Sequence, residues 1–295
     1  MNIPWMILPA VLLEAVFYFL PASKGFQQRF GKWNHWLQAA LIWTSGMVPS
    51  ILLNAALGQT PTDLPLLAVS LGIVCIWHLV LPHKPVADIL LLGVLAAFIL
   101  LPWYQGLFPT PPGGPKLSAM AKLLWLRVGI AVFVFLRRWK VPGFSIVPDK
   151  RDWVVGVQSF AIFFAILLPV GLYFEILRFQ LPKVALWMVP FAAVGMFLAA
   201  YLFVAFGEEF FFRGILQPLL SQGMGKWQGM VVASLCFGAV HLPYRDFPNW
   251  RFALLAAVAG MFYGKAFEKA HSLRAAMIAH ALVVTVWTVA FQRSL

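Results

Sequence analysis

Residues 207–217 read GEEFFFRGILQ and set Glu208, Glu209 and Arg213 inside a run of Phe, Leu and Val. Three ionisable groups within six residues are costly in such a setting, because an ion removed from water must find a partner or lose its charge. The same run is long enough to lie in a bilayer. The reading of the whole chain follows from whether it does.

Of the 295 residues, 62% are hydrophobic and 11% are charged, whereas a soluble domain carries about 25% charged residues. Mean hydropathy is +0.84. These values specify an integral membrane protein. The net charge of +12 fits Lys and Arg gathered in cytoplasmic loops. No basic, aromatic-interleaved face for nucleic acid is present. Cys75 and Cys236 sit in apolar runs without ligand spacing and read as structural thiols.

Apolar segments occur near 3–21, 36–58, 64–82, 86–103, 118–136, 153–178, 191–220, 227–243, 252–268 and 273–292. The expected fold class is all-α, a polytopic transmembrane helix bundle of about ten spans, with eight or nine as alternatives. Basic residues cluster after the odd segments, among them Arg137, Arg138, Lys140, Lys150 and Arg151, then Lys265, Lys269 and Arg274. The loops after even segments hold few, such as Lys116, Lys183 and Arg245 beside Asp246. Odd loops are therefore expected inside and both termini outside. Residues 184–220 exceed one crossing, so Pro190 is expected to separate an interfacial piece from a span over 191–220.

Ionisable residues within spans are candidate functional groups. They are Glu14, His78, Arg127, Glu175, Glu208, Glu209, Arg213, His241 and His280. Glu14 and His78 read as interhelical hydrogen-bonding groups, Arg127 as snorkelling or paired, and Glu175 as close enough to a span end to reach water. Glu208 lies ~18 Å of helix from the inner end of its span, and His241 ~21 Å along the next one, which starts from the same side. His280 lies ~10 Å into the last span. Glu209 and Arg213 are four apart and share a face. Glu208 is turned ~100° away and left free for chemistry. Phe237 and His241 are also four apart, so the ring can pack beside the imidazole. Each group alone also fits a structural role: the Glu–Arg pair as an interhelical clamp, each histidine as a hydrogen-bonding residue.

These motifs resemble those of the CPBP family, the CAAX proteases and bacteriocin-processing enzymes. GEEFFFR (207–213) matches its EExxxR pattern and FGAVH (237–241) its FxxxH pattern, and His280 falls where its third motif begins. The resemblance covers about 190–292. It implies a core over 151–295, an N-terminal transmembrane region over 1–150 of unassigned role, and a bacterial plasma-membrane location. It also implies an intramembrane endopeptidase acting on a membrane-anchored, prenylated or otherwise lipidated protein. Glu208 would activate water, Glu209 and Arg213 would support it, and His241 and His280 would orient water or stabilise the oxyanion. No cofactor is expected. The alternative is a zinc ion held by Glu208, His241 and His280. The third motif departs from the family's HxxxN or HxxxD, because Val284 occupies the polar position. Thr285 or Asn249 are candidate substitutes. The HALVV ending resembles family members linked to bacterial C-terminal protein sorting. Two other classes compete: a non-proteolytic immunity protein acting by binding, and a transporter, which would show inverted repeats that this chain lacks.

Overall fold

The computed structural model describes residues 5–110, 117, 119–173, 178–180, 184–244 and 247–292. Glu175, Lys116, Lys183, Arg245 and Asp246 lie outside the described residues. The protein is an all-α membrane helical bundle, with helices on all ten apolar segments. Five helices are long and apolar enough to cross a bilayer by themselves: His35–Ala56, Ala119–Leu136, Lys150–Tyr173, Leu186–Met224 and Leu273–Ala290. The one extended pairing among the described residues joins Arg178–Phe179 (β1) to Phe291–Gln292 (β2). The chain forms two compact units, divided between Lys140 and Val141.

The first unit holds α1 (Leu8–Phe19), α2 (Lys24–Phe30), α3 (His35–Ala56), α4 (Leu64–Val80), α5 (Pro85–Leu100) and α6 (Ala119–Leu136). Its helix starts are written locally. Ser23 accepts from the Phe26 N–H ahead of α2, and Asn34 accepts from the Trp36 N–H ahead of α3. Arg127 of α6 is paired, not snorkelling: it meets Glu14 of α1 at 2.5 Å and donates to the Ser45 carbonyl of α3 at 2.6 Å. Arg137 likewise grips Asp88 of α5 with two bonds of 2.8 and 3.0 Å. His78 lies 3.5 Å from that carboxylate.

The second unit holds α7 (Lys150–Tyr173), α8 (Leu186–Met224), α9 (Lys226–Ala239), α10 (Trp250–Ala270) and α11 (Leu273–Ala290). Helix α8 is one continuous run of 39 residues, ~58 Å at 1.5 Å per residue. It does not break at Pro190. That proline falls in the first turn, where its missing N–H has no helical partner to lose. Two stretches of α8, Ala200–Ala205 and Phe210–Leu216, are π-helical. The wider turn is frequent at functional sites; here the two stretches flank the α-helical turn Phe206–Glu209 that holds both glutamates, and the second carries Arg213.

Helix α9 ends at Ala239, short of the expected 243. Pro243 disfavours helical backbone at Leu242 and cannot donate to a helical carbonyl. His241 therefore stands just past the helix, in a turn where its N–H bonds the Gly238 carbonyl. Helices α9 and α10 approach closely through small residues. Ala253, Ala256, Ala257 and Ala259 are all buried. A Cβ on Gly238 would run into the Ala253 carbonyl and stand 2.7 Å from the Ala257 Cβ. Facing them, α11 buries Ala275, Ala276, Ala279 and Ala281. Short side chains on two neighbouring helices leave room for the long ones that α8 sends inward.

Candidate active site

Glu209 and Arg213 are fully buried on one face of α8, with Arg213 Nε 3.2 Å from Glu209 Oε2. An unpaired guanidinium there would be untenable, and removing one partner of such a pair typically costs ~3–5 kcal/mol. Arg213 Nη2 also donates to the Gly260 carbonyl of α10 at 3.0 Å. The approach depends on a glycine, because a Cβ on Gly260 would stand 2.9 Å from that nitrogen. Three rings enclose the cation: Phe237 at 4.8 Å and Phe212 and Tyr263 at 5.8 Å.

The other oxygen of Glu209 holds His280. Nδ1 of His280, on α11, lies 2.7 Å from Glu209 Oε1. A carboxylate can only accept, so Nδ1 carries the proton and Nε2 is turned the other way. Nε2 faces Glu208, 3.9 Å from its Oε2. That is too long for a direct hydrogen bond and short enough for one water to touch both groups. The two adjacent glutamates thus occupy different environments. The Glu209 side chain is 0% exposed and doubly partnered, whereas that of Glu208 is 30% exposed.

His241 is oriented by the end of its own helix. Because the helix stops, the Phe237 carbonyl loses its backbone donor, and His241 Nδ1 takes that place at 2.7 Å. This leaves Nε2 as the nitrogen to meet a substrate or water. The Phe237 ring stands between the two imidazoles, 4.8 Å from His241 and 5.7 Å from His280. Tyr263 stacks flat on His280, with centroids 4.7 Å apart and planes 10° from parallel.

Both candidate substitutes for the amide absent at Val284 are engaged elsewhere. The Thr285 hydroxyl donates to the Ala281 carbonyl of its own helix at 2.7 Å. Asn249 caps α10, accepting from Phe252 and donating to the Tyr244 carbonyl. Among the described residues, no three His, Cys, Asp or Glu side chains are grouped as a bound metal would require.

Sequence reasoning placed Glu208, Glu209, Arg213, Phe237, His241 and His280 in one region, and the structure brings them into the second unit around Phe237. It missed Tyr263, Gly260 and Gln217. A signal was present: residues 260–264 read GMFYG, a GxxxG spacing that lets a neighbouring helix approach closely. Here that approach admits the polar side chains of α8.

Residues 190–286 match the family described as Rce1-like, type II CAAX prenyl endopeptidase Rce1-like. The match spans about a third of the chain and contains every residue of the cluster. It is consistent with the CPBP resemblance of the same segment and with a CAAX-type protease. No curated protein and no solved structure matches the chain.

Proposed function

We propose that this chain is an intramembrane endopeptidase that hydrolyses a peptide bond near the C-terminus of a membrane-tethered or lipidated protein, using water activated by Glu208. The observation carrying this reading is the contrast between the two adjacent carboxylates. Glu209 is spent on Arg213 and His280, whereas Glu208 is partly open, with its Oε2 3.9 Å from His280 Nε2.

In the proposed reaction, Glu208 takes a proton from water as the oxygen attacks the scissile carbonyl. The carbonyl π electrons move onto oxygen, and a His241 or His280 ring that carries a second proton, on Nε2, donates to that charge. Collapse of the intermediate breaks the C–N bond, and the proton held by Glu208 passes to the leaving amine. Glu209 and the stacked Tyr263 hold the His280 ring in place throughout. With Val284 offering no hydrogen bond, oxyanion stabilisation rests on the imidazoles and is weaker than an additional amide donor would give. Removing such a donor commonly costs ~10²–10³ in rate. The enzyme is therefore expected to be slow.

The test uses the full-length protein in liposomes with lipidated C-terminal peptides, and products are read by mass spectrometry. Glu208→Gln is expected to lower kcat/KM by ~10²–10⁴, the usual contribution of general acid–base catalysis. Unchanged cleavage by this variant removes the proposal. Dialysis against a chelator is expected to leave activity intact. Loss that zinc restores would instead support the version in which Glu208, His241 and His280 hold a metal. If the chain protects cells against a bacteriocin, protection persisting in Glu208→Ala would point to binding without proteolysis.

A further inference from the structure

Neither α9 nor α10 belongs to the five helices long and apolar enough to cross a bilayer, yet both frame the site. Helix α9 has 14 residues, ~21 Å at 1.5 Å per residue. Helix α10 has 21 residues, but charge confines its apolar part. No residue between Arg251 and Lys265 is charged, and those two are 14 positions apart, again ~21 Å. The hydrocarbon core of a bilayer is ~30 Å thick.

The apolar stretch of α10 has an outward stripe. Arg251, Leu254 and Lys265 are exposed, and Val258, Met261 and Phe262 are partly so, all at helical spacing on one side. Each end of the stripe sets a cation beside a tryptophan. The Arg251 guanidinium lies 5.4 Å from the Trp250 ring, and Lys265 Nζ lies 5.6 Å from the Trp227 ring of α9. Both tryptophans are more than half exposed. Tryptophan and basic side chains mark the headgroup level of a membrane, and here they mark two levels ~21 Å apart. Lys265 does not lengthen the stripe by reaching along the axis. Its Cα–Cβ bond tilts toward the N-terminus of α10, and its Nζ lies 5.8 Å from the ring of Phe262, on the Arg251 side. Helix α7 differs. Residues 153–173 carry no charge, a run of ~32 Å, and Val157, Ile162 and Ile166 on it are exposed.

We propose that the exposed face of α10 binds a locally thinned bilayer, with a hydrocarbon layer of ~21 Å in place of ~30 Å and with Arg251 and Lys265 at its two polar edges. His241 stands at the level of the Arg251 edge, because the neighbouring Phe252 lies 5.5 Å from its ring. Thinning there brings headgroup water and the end of a membrane-tethered peptide toward the site, a role that rests on the proteolytic reading. The thin rim itself does not.

Spin labels on introduced cysteines measure the rim in the full-length protein, with Cys75→Ala and Cys236→Ala, in vesicles of dioleoylphosphatidylcholine. Labels at Leu254→Cys and Met261→Cys, one per sample, are ~10 Å apart along the helix. Collisions with oxygen and with a water-soluble nickel chelate give the depth of each below its nearer edge. The two depths and the separation add to the local thickness. A total of ~21 Å is expected on α10, and ~30 Å from Val157→Cys and Ile166→Cys on α7. Equal totals on the two helices would overturn the thin rim. Lys265→Leu moves the next charge to Glu268, so the α10 total should grow by ~4–5 Å. No growth would remove Lys265 from the proposal. Cleavage by the unaltered protein is expected to be about tenfold slower in dierucoyl lipid than in the shorter dimyristoleoyl lipid. A thin rim with cleavage indifferent to chain length would uphold the rim and overturn its role. A thin rim in a protein that cleaves no peptide would uphold the rim and sink the proteolytic reading.

Discussion

At the scale of the residue, the cluster is organised by Glu209, which serves two partners at once. One oxygen neutralises Arg213 and the other fixes the tautomer of His280. Replacing Glu209 by Gln strands a buried guanidinium and frees an imidazole, so a loss of ~3–5 kcal/mol is expected. Arg213→Met should cost a similar amount, since it strands Glu209. The double variant Glu209→Gln/Arg213→Met should then lose less than the sum of the two, because no charge is left without a partner. Thermal unfolding in one detergent measures all three, and strict additivity would count against the pair. The i, i+4 spacing made the Glu209–Arg213 pair legible in the sequence, along with the separate placement of Glu208. The second duty of Glu209 was not legible. Its partner is 71 positions away, and a carboxylate with one obvious cation nearby gives no sign that its other oxygen is engaged.

At the scale of the element, what separates the helices is as informative as what joins them. The α9–α10 seam closes on Gly238, where any Cβ meets the backbone of Ala253. Backbone cannot rotate away, so Gly238→Ala should destabilise by ~1–3 kcal/mol, the range for overpacking a filled site. At Gly195, on the open face of α8, an added methyl would have none of the described residues within 4 Å. There Ala removes only the backbone freedom of glycine, and stability should rise by up to ~1 kcal/mol. Opposite shifts in melting temperature are expected, and two shifts of the same sign would refute the packing argument. Apolar run length predicted helices on all ten segments because hydrophobic length is a local property. The continuity of α8 through Pro190 and the early end of α9 were missed for a shared reason. The effect of a proline depends on whether it falls in a first turn or ahead of the next residue to be hydrogen-bonded, and composition does not reveal that register.

At the scale of the whole molecule, the fold class was readable from composition, whereas the pairing of buried charges across helices was not. Glu14 with Arg127 and Asp88 with Arg137 each join residues far apart in sequence. The second unit is fastened at its basic end by Arg274, which opens α11. It donates to Ser145 Oγ at 3.1 Å, the Val147 carbonyl at 2.8 Å and Asp149 Oδ2 at 3.1 Å, and lies 2.7 Å from Asp152 Oδ2. Gly143, with φ of +66°, lets the same loop lie against Ser272, and the Leu273 N–H donates to the Pro142 carbonyl at 2.9 Å. These contacts tie residues 141–149 to α11. The Asp149 carboxyl is held below its ordinary range, first by the Asp152 N–H and to a lesser degree by the Arg274 charge, with some desolvation opposing. A carboxyl depressed in the folded state adds stability above its unfolded pKa of ~3.9. That stability fades as pH falls through the lower folded value. The melting temperature of the unaltered protein should therefore drop more steeply between about pH 4 and the acid limit than that of Asp149→Asn. At neutral pH the variant should be the less stable of the two, by a small margin because the group faces solvent. Parallel acid limbs would show that the loop is held by Asp152 and the backbone contacts without help from the charge on Asp149.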